Sequence, residues 1–298
     1  MAAQRSAYKG KSFNEVIEIN FSVGGAALSQ RTVAKHLSAL STFFRWLSVE
    51  GHVQGNVFDG LAPYIKSKMK TRAAFSDAQL VQFFGSPLFV GCAGTRDIGS
   101  YATPGPVRVN DWRFWLPIMS AYTAARLGEL AQLEVRDIRR VDGIHCLDIN
   151  TDGEDGKALK SDWSRRLVPL HSELLKAGVL DYIEQIAAAG SHRLFPELER
   201  SGQGTFTYAS KWFGKYLRHL QFEPNAKGQV PVFHSFRHSA VTKMGLGHSD
   251  AEIQPLVGHE PSTTLKGYRE SATYSIAKRK SIIELIKYEG LDLQRLKD

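Results

Sequence analysis

The clearest hydrophobic period in the chain lies between Ser29 and Glu50. Its apolar residues recur at spacings of four, three, four and three positions, at Val33, Leu37, Leu40, Phe44 and Leu47. This period places them on one face of an α-helix. Gly51 follows directly and ends the predicted helix.

The opposite face of this predicted helix is basic and rich in hydroxyl groups. At about 100° per residue, it carries Arg31, Lys35, Ser38, Thr42 and Arg45, with no acidic residue among them. Most outer helix faces are simply solvated, but a basic face without compensating acids favours phosphate contacts. We therefore predict that these five residues bind a polyanion.

The other periodic segments predict a mostly α-helical chain with a small antiparallel sheet. Ser76 and Gln79 have the spacing of a capping box, and the helix they begin ends at Gly85 and Pro87. Residues 111–138 indicate two consecutive helices that meet near 123–126. Strands are predicted over 143–149 and 165–170, and further helices over 172–190, 208–222, 234 onward and 275–290. The Gly- and Pro-rich segment 90–111 predicts a long loop.

The positive charge is concentrated near the N-terminus. Residues 1–75 hold ten Lys or Arg and four Asp or Glu, which is +6 of the net charge of +8. Segment 65–74 contains four of these cations without an apolar period, as is typical of a linker. The chain has 298 residues, 43% of them hydrophobic, which is enough for two domains. We predict an N-terminal helical domain over 1–70, a larger domain over 71–275 and a helical tail over 276–298.

Several function classes are disfavoured by the same sequence. No apolar run approaches the roughly 20 residues needed to span a bilayer, and the N-terminus has no signal-peptide core. Cys92 and Cys146 are far apart and lack a CxxC context, which argues against a disulfide framework or a thiolate metal site. Neither GxxxxGK[ST] nor GxGxxG occurs. We expect a soluble, cytoplasmic protein that needs no cofactor and binds no membrane.

An unusual cluster of polar groups occurs in the segment "HSFRHSAVTKM". His234, Arg237 and His238 have i, i+3, i+4 spacing, so they project from one side of a helix's first turn. The helix dipole opposes cations there and favours a bound anion, which Arg237 would also bind. The histidine spacing also suits zinc, but the Glu of an HExxH motif is replaced by Ser235. A phosphate is therefore favoured over a metal.

Four segments together resemble the conserved boxes of the tyrosine recombinases, the phage-integrase family of site-specific DNA recombinases. They are "TAARLGELAQLEVRDI" (123–138), "LKSDWSRRLVPLH" (159–171), "FHSFRHSAVTKM" (233–244) and "LVGHEPSTTLKGY" (256–268). They occur in the family's order, and the resemblance covers about residues 75–275. It implies a catalytic domain over 71–275, preceded by a helical, SAM-like core-binding domain. Residues 1–66 are short for such a domain, which is consistent with an incomplete one.

The resemblance also implies a nucleophile and its phosphate ligands. Tyr268, nine positions after His259, would attack the scissile phosphate to give a 3′-phosphotyrosyl bond and a free 5′-hydroxyl. Tyr274 is a nearby rival. Arg126 and Arg237 match the two family arginines, whose fork geometry suits the non-bridging oxygens of a phosphate. The family also places an acid at Glu129, which would orient Arg126 or a histidine.

Proton transfers are implied for two further groups, Lys160 and His234. Lys160 best matches the family lysine that protonates the 5′-oxygen, with Lys157 as its rival. His234 would exchange a proton near the nucleophile, and its ordinary pKa suits either direction. His259 would hydrogen-bond the phosphate. His238 is expected to be a structural support.

The resemblance predicts a metal-independent, nucleoid-associated homotetramer that acts on two DNA duplexes, and it leaves room for accessory DNA-bending or directionality proteins. In that setting, the basic helix face over residues 31–45 would contact DNA. Two alternatives remain. A type IB topoisomerase would use nearly the same residues to relax DNA. The other alternative is a catalytically silent DNA-binding regulator, against which the presence of all the required side chains argues. The tail's apolar residues suit packing either onto a neighbouring protomer or onto its own domain; they are Ile282, Ile283, Leu285 and Ile286.

Overall fold

The structure is a computed structural model, which describes residues 8–24, 28–61, 73–153, 156–201, 206–224, 228–258 and 274–296. It divides into two compact units, Met1–Lys70 and Thr71–Asp298. Within the described ranges, no helix has both the length and the apolar character needed to cross a bilayer.

The N-terminal unit contains helix α1 (Phe13–Ser22) and helix α2 (Gln30–Val49). Ser29 caps α2 by accepting from the amide of Thr32, and Gly51 follows the helix with a φ of 76°. A residue in that conformation is most often glycine, which explains why the helix ends there. The helix predicted over residues 29–50 is therefore confirmed.

The two faces of α2 differ in exposure as the sequence predicts. The phenyl ring of Phe44 packs on Phe58 with centroids 4.9 Å apart, and Asn56 donates to the carbonyl of Ser41 at 3.1 Å. All five residues of the basic face are exposed on this unit. Among its described residues none is fully buried, and Leu40 on the apolar stripe is 41% exposed.

The C-terminal unit is built from helices around one hydrophobic core. The helices are α3 (Asp77–Phe84), α4 (Pro87–Val90), α5 (Ile98–Ala102), α6 (Trp112–Thr123), α7 (Leu127–Ala131), α8 (Ser172–Lys176), α9 (Val179–Ala188), α10 (Thr207–His219), α11 (His234–Gly245), α12 (Asp250–Val257) and α13 (Ile276–Ile283). Helices α6 and α11 pack against each other. Phe236 of α11 is fully buried, stacked on Phe75 at 4.5 Å. This packing fixes which side of α11 faces the core and which side carries its polar residues.

A three-stranded antiparallel sheet accompanies these helices. Its strands β1 (Ile138–Val141), β2 (Ile144–Ile149) and β3 (Arg166–Pro169) are arranged in that order. Strands β2 and β3 confirm the two predicted strands. Strand β1 corrects the prediction that a helix continues to residue 138. The chain leaves the helix after α7 because it turns through Val135–Asp137 and pairs with β2, a long-range contact that local periodicity does not reveal.

The segment 90–111 is more ordered than the predicted loop. It contains α5, and the amides and carbonyls of Cys92 and Val107 exchange hydrogen bonds of 2.9 Å. A Cβ on Gly105 would lie 2.6 Å from Cα of Ala93. The glycine there therefore allows two backbone stretches to approach closely, rather than marking a loose loop.

Three predicted helix boundaries are also wrong. Pro87 begins α4 instead of only ending α3, because the first helical position tolerates a missing N–H. The helix predicted over 172–190 is broken into α8 and α9 at Gly178, whose φ is 88°. The helix predicted over 275–290 ends at Ile283, after which the chain turns into the core.

The tail packs onto its own unit within this chain. Ile282, Ile283 and Ile286 are fully buried, whereas Leu285 is 38% exposed. Tyr288 Oη donates to the carbonyl of Ala121 in α6 at 2.7 Å. The side chains of residues 276–296 thus contribute directly to the core of the C-terminal unit.

Candidate active site

The site begins at the junction of α6 and α7. Ala124 adopts a left-handed conformation with a φ of 54°, a strained state for a residue with a Cβ. Buried hydroxyls hold the turn: Thr123 Oγ1 donates to Met119 O at 2.6 Å and accepts from Ala125 N at 3.2 Å. The turn places Arg126 immediately before α7, with its side chain at the edge of a cleft.

The guanidinium of Arg126 hydrogen-bonds a carboxylate and a backbone carbonyl. Its Nη1 lies 2.5 Å from Glu129 Oε1, and its Nη2 donates to the carbonyl of Gly258 at 3.2 Å. The amide of Arg126 donates to Glu129 Oε2 at 2.8 Å. The side chain of Arg126 keeps 23% of its surface exposed, whereas that of Glu129 keeps 5%. Glu129 therefore orients Arg126; its described hydrogen bonds go to arginines, not to a histidine.

Arg237 is buried and close enough to Arg126 to interact with its charge. It extends from α11, is 3% exposed, and donates to the carbonyls of Ala124 and Val257, the latter at 2.6 Å. Burial, together with repulsion from Arg126 and Arg166, lowers the pKa of Arg237 to about 9. The guanidinium therefore remains charged at neutral pH.

A third arginine at the site, Arg166, is not among the residues that the sequence predicts for it. It starts β3, and its side chain is 2% exposed. Its three nitrogens donate to Glu129 Oε2 at 2.8 Å, to Ser164 O at 2.7 Å and to Leu256 O at 2.7 Å. The available signal was an arginine at the start of the apolar strand "RLVPL", because a buried cation requires an acceptor.

The three arginines share one backbone target. They donate to successive carbonyls at the end of α12: Arg166 to Leu256, Arg237 to Val257 and Arg126 to Gly258. The last carbonyls of a helix have no partner within the helix and carry the negative end of its dipole. The end of α12 therefore supplies acceptors to the three guanidinium groups in addition to the carboxylate of Glu129.

Glu129 is the charged partner of two of these arginines. Burial acts to raise the pKa of the Glu129 carboxyl, but Arg166 and Arg126 outweigh it and lower the pKa to about 2. The stabilisation from this ionised group is complete above its ordinary pKa of 4.5 and is lost as the pH falls through about 2. Glu129 is consequently anionic at neutral pH.

The cleft in front of Arg126 is also lined by a histidine. It has a volume of about 450 Å³ and its walls include His234, Gly128, Ser210 and Gly214. His234 is half-buried, and its ring lies perpendicular to that of His238 with centroids 4.8 Å apart. Across the described ranges, no three His, Cys, Asp or Glu residues form a group able to hold a metal ion.

Burial separates the two candidate lysines. Lys157 is buried, with Nζ 2.6 Å from Asp137 Oδ2 and 3.6 Å from Glu134 Oε1. Lys160 is exposed on the connection between β2 and β3. This connection leads back to the site, because Ser164 Oγ lies 3.5 Å from Arg126 Nη1. Lys157 thus neutralises a buried acidic pair, whereas the ammonium of Lys160 is accessible.

Two sequence-predicted site residues, His259 and Tyr268, lie outside the described residues. The description stops at Gly258, whose carbonyl accepts from Arg126, and resumes at Tyr274, which is half-buried. The structure therefore brings together Arg126, Glu129 and Arg237 around the residue that precedes His259. The predicted DNA contacts of α2 belong to the other unit.

The fold is shared with solved integrase structures. A lambda integrase fragment, determined as a dimer bound to a COC′ core site, is 18% identical with a TM-score of 0.52, and the match covers 84% of this chain and 78% of that one. The Tn1549 transposon integrase in complex with a circular intermediate DNA is 16% identical with a TM-score of 0.52, covering 89% and 82%. A lambda integrase tetramer bound to a Holliday junction is 17% identical with a TM-score of 0.51, covering 84% and 63%. At these identities, the likeness establishes the fold.

Fold and site together define a tyrosine recombinase, a DNA breaking and rejoining enzyme. The phage integrase family model matches residues 114–274, more than half of the chain, and the chain belongs to that family. A comparison with curated proteins gave no match. The resemblance read from the four sequence boxes is thereby confirmed.

Proposed function

We propose that the chain is a site-specific recombinase that cleaves and rejoins DNA through a 3′-phosphotyrosyl intermediate and exchanges strands between two duplexes. The observation that carries the proposal is the convergence of Arg126 and Arg237 on the helix end next to the segment with His259 and Tyr268. Two fixed guanidinium groups suit the charge that develops on the non-bridging oxygens during phosphoryl transfer.

Arg126 retains capacity for a phosphate in this arrangement. A guanidinium has five N–H donors; the hydrogen bonds to Glu129, Ser164 and Gly258 use three of them, and 23% of the side chain stays exposed. The adjacent cleft is the space in which a scissile phosphate would sit. Glu129 and the end of α12 fix the guanidinium before substrate arrives, so no ordering is required in the transition state.

In the proposed cleavage step, residues of this chain accept one proton and donate another. The phenolic oxygen of Tyr268 bonds to phosphorus as the bond to the 5′-oxygen breaks, and His234 accepts the phenolic proton. Lys160 donates a proton to the leaving 5′-oxygen, and His259 hydrogen-bonds the phosphate. Religation reverses each transfer, so the phosphodiester's free energy is conserved without a nucleotide cofactor.

A basic trough next to the cleft supports DNA as the substrate. The trough has a volume of about 550 Å³, shares Ser210 and Gly214 with the cleft, and has Asp97 as the acid in its wall. Its cationic lining residues are Arg96, Arg113, Lys211, Lys215 and Arg218. Such a surface would bind the phosphate backbone that flanks the reacting bond.

The N-terminal unit provides a second basic surface in this proposal. The exposed face of α2 would contact the duplex as a core-binding domain, on the same electrostatic grounds as the trough. The lambda integrase tetramer on a Holliday junction supports a tetramer that joins two duplexes. Accessory DNA-bending and directionality proteins stay a prediction.

The proposal is tested by covalent capture. The full chain is incubated with a pool of nicked duplexes whose core is randomised, and protein-linked DNA is isolated under denaturing conditions. We expect an adduct attached through a 3′-phosphate and enriched in one sequence. Relaxation of supercoiled plasmid without strand exchange at that sequence would indicate a topoisomerase instead. DNA binding without any adduct would support the silent regulator and overturn the proposal.

The assignment of Lys160 predicts a leaving-group effect. With the captured site as substrate, Lys160→Ala should cleave about 10²–10⁴-fold more slowly than the wild type. Replacing the bridging 5′-oxygen by sulfur should restore most of the rate, because a thiolate leaves without a proton. Single-turnover cleavage of the two substrates measures both effects.

Lys157→Met is the matched control for this experiment. It removes the cation that faces Asp137 and Glu134, so it should lower thermal stability, and sulfur should restore no activity. Sulfur rescue of Lys157→Met, or its absence in Lys160→Ala, would contradict the assignment.

A further inference from the structure

The buried contacts of Arg166 join parts of the site that are far apart in sequence. Its guanidinium donates to Glu129, which orients Arg126, and to the carbonyl of Leu256 in the last turn of α12. A third bond, to the carbonyl of Ser164, ties it to the connection that carries Lys160. The side chain of Arg166 thus contacts Glu129, Ser164 and Leu256, each of which lies next to a proposed catalytic group in the chain or in space.

The position of Arg166 is set tightly at the end of α12. Gly258 ends that helix with a φ of 62°, and a Cβ at this residue would lie 2.7 Å from Arg166 Nη1 and 3.2 Å from Cα of Ser164. The guanidinium therefore packs directly against the backbone from which the segment 259–268 continues. A shift of Arg166 would move Gly258, whose carbonyl also binds Arg126.

We propose that Arg166 is a positioning residue that holds the phosphate-binding arginines in register with the segment bearing His259 and Tyr268. This inference rests on the proposed function. Arg166 itself contacts backbone carbonyls and Glu129, not the reacting atoms. Its role is to fix the distance between the phosphate site and the chain that supplies the nucleophile, which affects the rate steeply because small misplacements of reacting groups are costly.

A second consequence concerns the protonation of Glu129. The groups that face its carboxylate are Arg126 before α7, Arg166 on β3 and Arg237 on α11. Removing the charge of Arg166 leaves the effect of burial less opposed, so the pKa of Glu129 rises from about 2. A protonated Glu129 would bind Arg126 more weakly. Cleavage by an Arg166→Gln variant should therefore decline with acidity at a higher pH than cleavage by the wild type.

The test compares cleavage with DNA binding in variants of β3. Arg166→Lys keeps the charge but cannot make all three hydrogen bonds. We expect its single-turnover cleavage rate to fall at least tenfold, with DNA affinity within about threefold of the wild type. Arg165→Lys is the matched control, because this neighbouring side chain is 50% exposed and pairs with Asp152. It should cleave as the wild type does.

The pH profile provides a readout that a purely structural role would not move. Arg166→Gln should show the acid limb at higher pH, and the double variant Glu129→Gln/Arg166→Gln should lack that limb. All rates are taken below the measured unfolding temperature of each variant. If Arg166→Gln does not fold, the cleavage rate of Arg166→Lys tests the positioning role. If neither variant folds, Gly258→Ala takes their place, because its Cβ would press on the same guanidinium. This variant should cleave slowly and bind DNA normally.

Two outcomes separate the failure of this inference from the failure of the proposed function. Wild-type protein that forms no adduct overturns the function and the inference together. In the other outcome, the wild-type protein forms an adduct, and folded Arg166→Lys and Arg166→Gln proteins cleave at the wild-type rate with the wild-type pH profile. This result overturns the positioning role alone.

Discussion

Tyr268→Phe should form no covalent adduct with a nicked duplex that carries the captured site. The variant lacks the oxygen that bonds to phosphorus, and loss of a nucleophile of this kind lowers the rate by at least about 10³-fold. DNA binding should stay within about threefold, because a single uncharged hydroxyl contributes little to a polyelectrolyte interface. A denaturing gel measures the adduct, and a mobility-shift titration measures binding.

Tyr274→Phe is the matched control for the nucleophile. Tyr274 is the rival tyrosine, lies six positions further on and is half-buried at the start of the described tail. Its variant should form the adduct at the wild-type rate. An adduct in Tyr268→Phe together with none in Tyr274→Phe would transfer the nucleophile to Tyr274.

Arg126→Lys should lower the cleavage rate about 10²–10³-fold, the usual effect of removing one fixed donor to transition-state charge. A lysine has a single ammonium, which cannot bind Glu129, the Gly258 carbonyl and a phosphate together in the planar geometry of a guanidinium. Glu129 keeps its bond to Arg166, so the fold should persist. Single-turnover cleavage and thermal unfolding are measured on the same preparation.

Arg139→Lys controls for the general effect of replacing an arginine. Arg139 lies on β1, is 57% exposed and pairs with Asp148, away from the cleft-lining residues. Its variant should be indistinguishable from the wild type in cleavage. Normal cleavage by folded Arg126→Lys would remove Arg126 from the phosphate site.

Local signals predicted the elements whose ends are set by nearby residues. The capping box of Ser76 and Gln79 is formed, and Gly51 ends α2. The elements that were missed depend on distant partners. Strand β1 exists because β2 pairs with it, and α5 is held by the backbone pairing of Cys92 with Val107. Periodicity reports which face is apolar, not which segment will lie opposite.

The site residues also fall into those that the sequence predicts and those that depend on distant partners. The resemblance to the tyrosine recombinases implies Arg126 and Arg237, and the structure brings both to the end of α12. Arg166 was overlooked because its role depends on contacts with Glu129 and Leu256, 37 and 90 positions away. The match to the family's lysine segment favours Lys160 over Lys157, and the two differ in burial: Lys157 is buried against Asp137, whereas Lys160 is exposed.

The buried tail has a genetic consequence. Ile282, Ile283 and Ile286 are fully buried, and burying each side chain contributes about 1.5–3 kcal/mol, so together they contribute about 4.5–9 kcal/mol. A whole domain is typically stable by only about 5–15 kcal/mol. A premature stop codon just after Tyr274 would therefore yield an unfolded protein, even though every residue of the proposed catalytic set would still be translated.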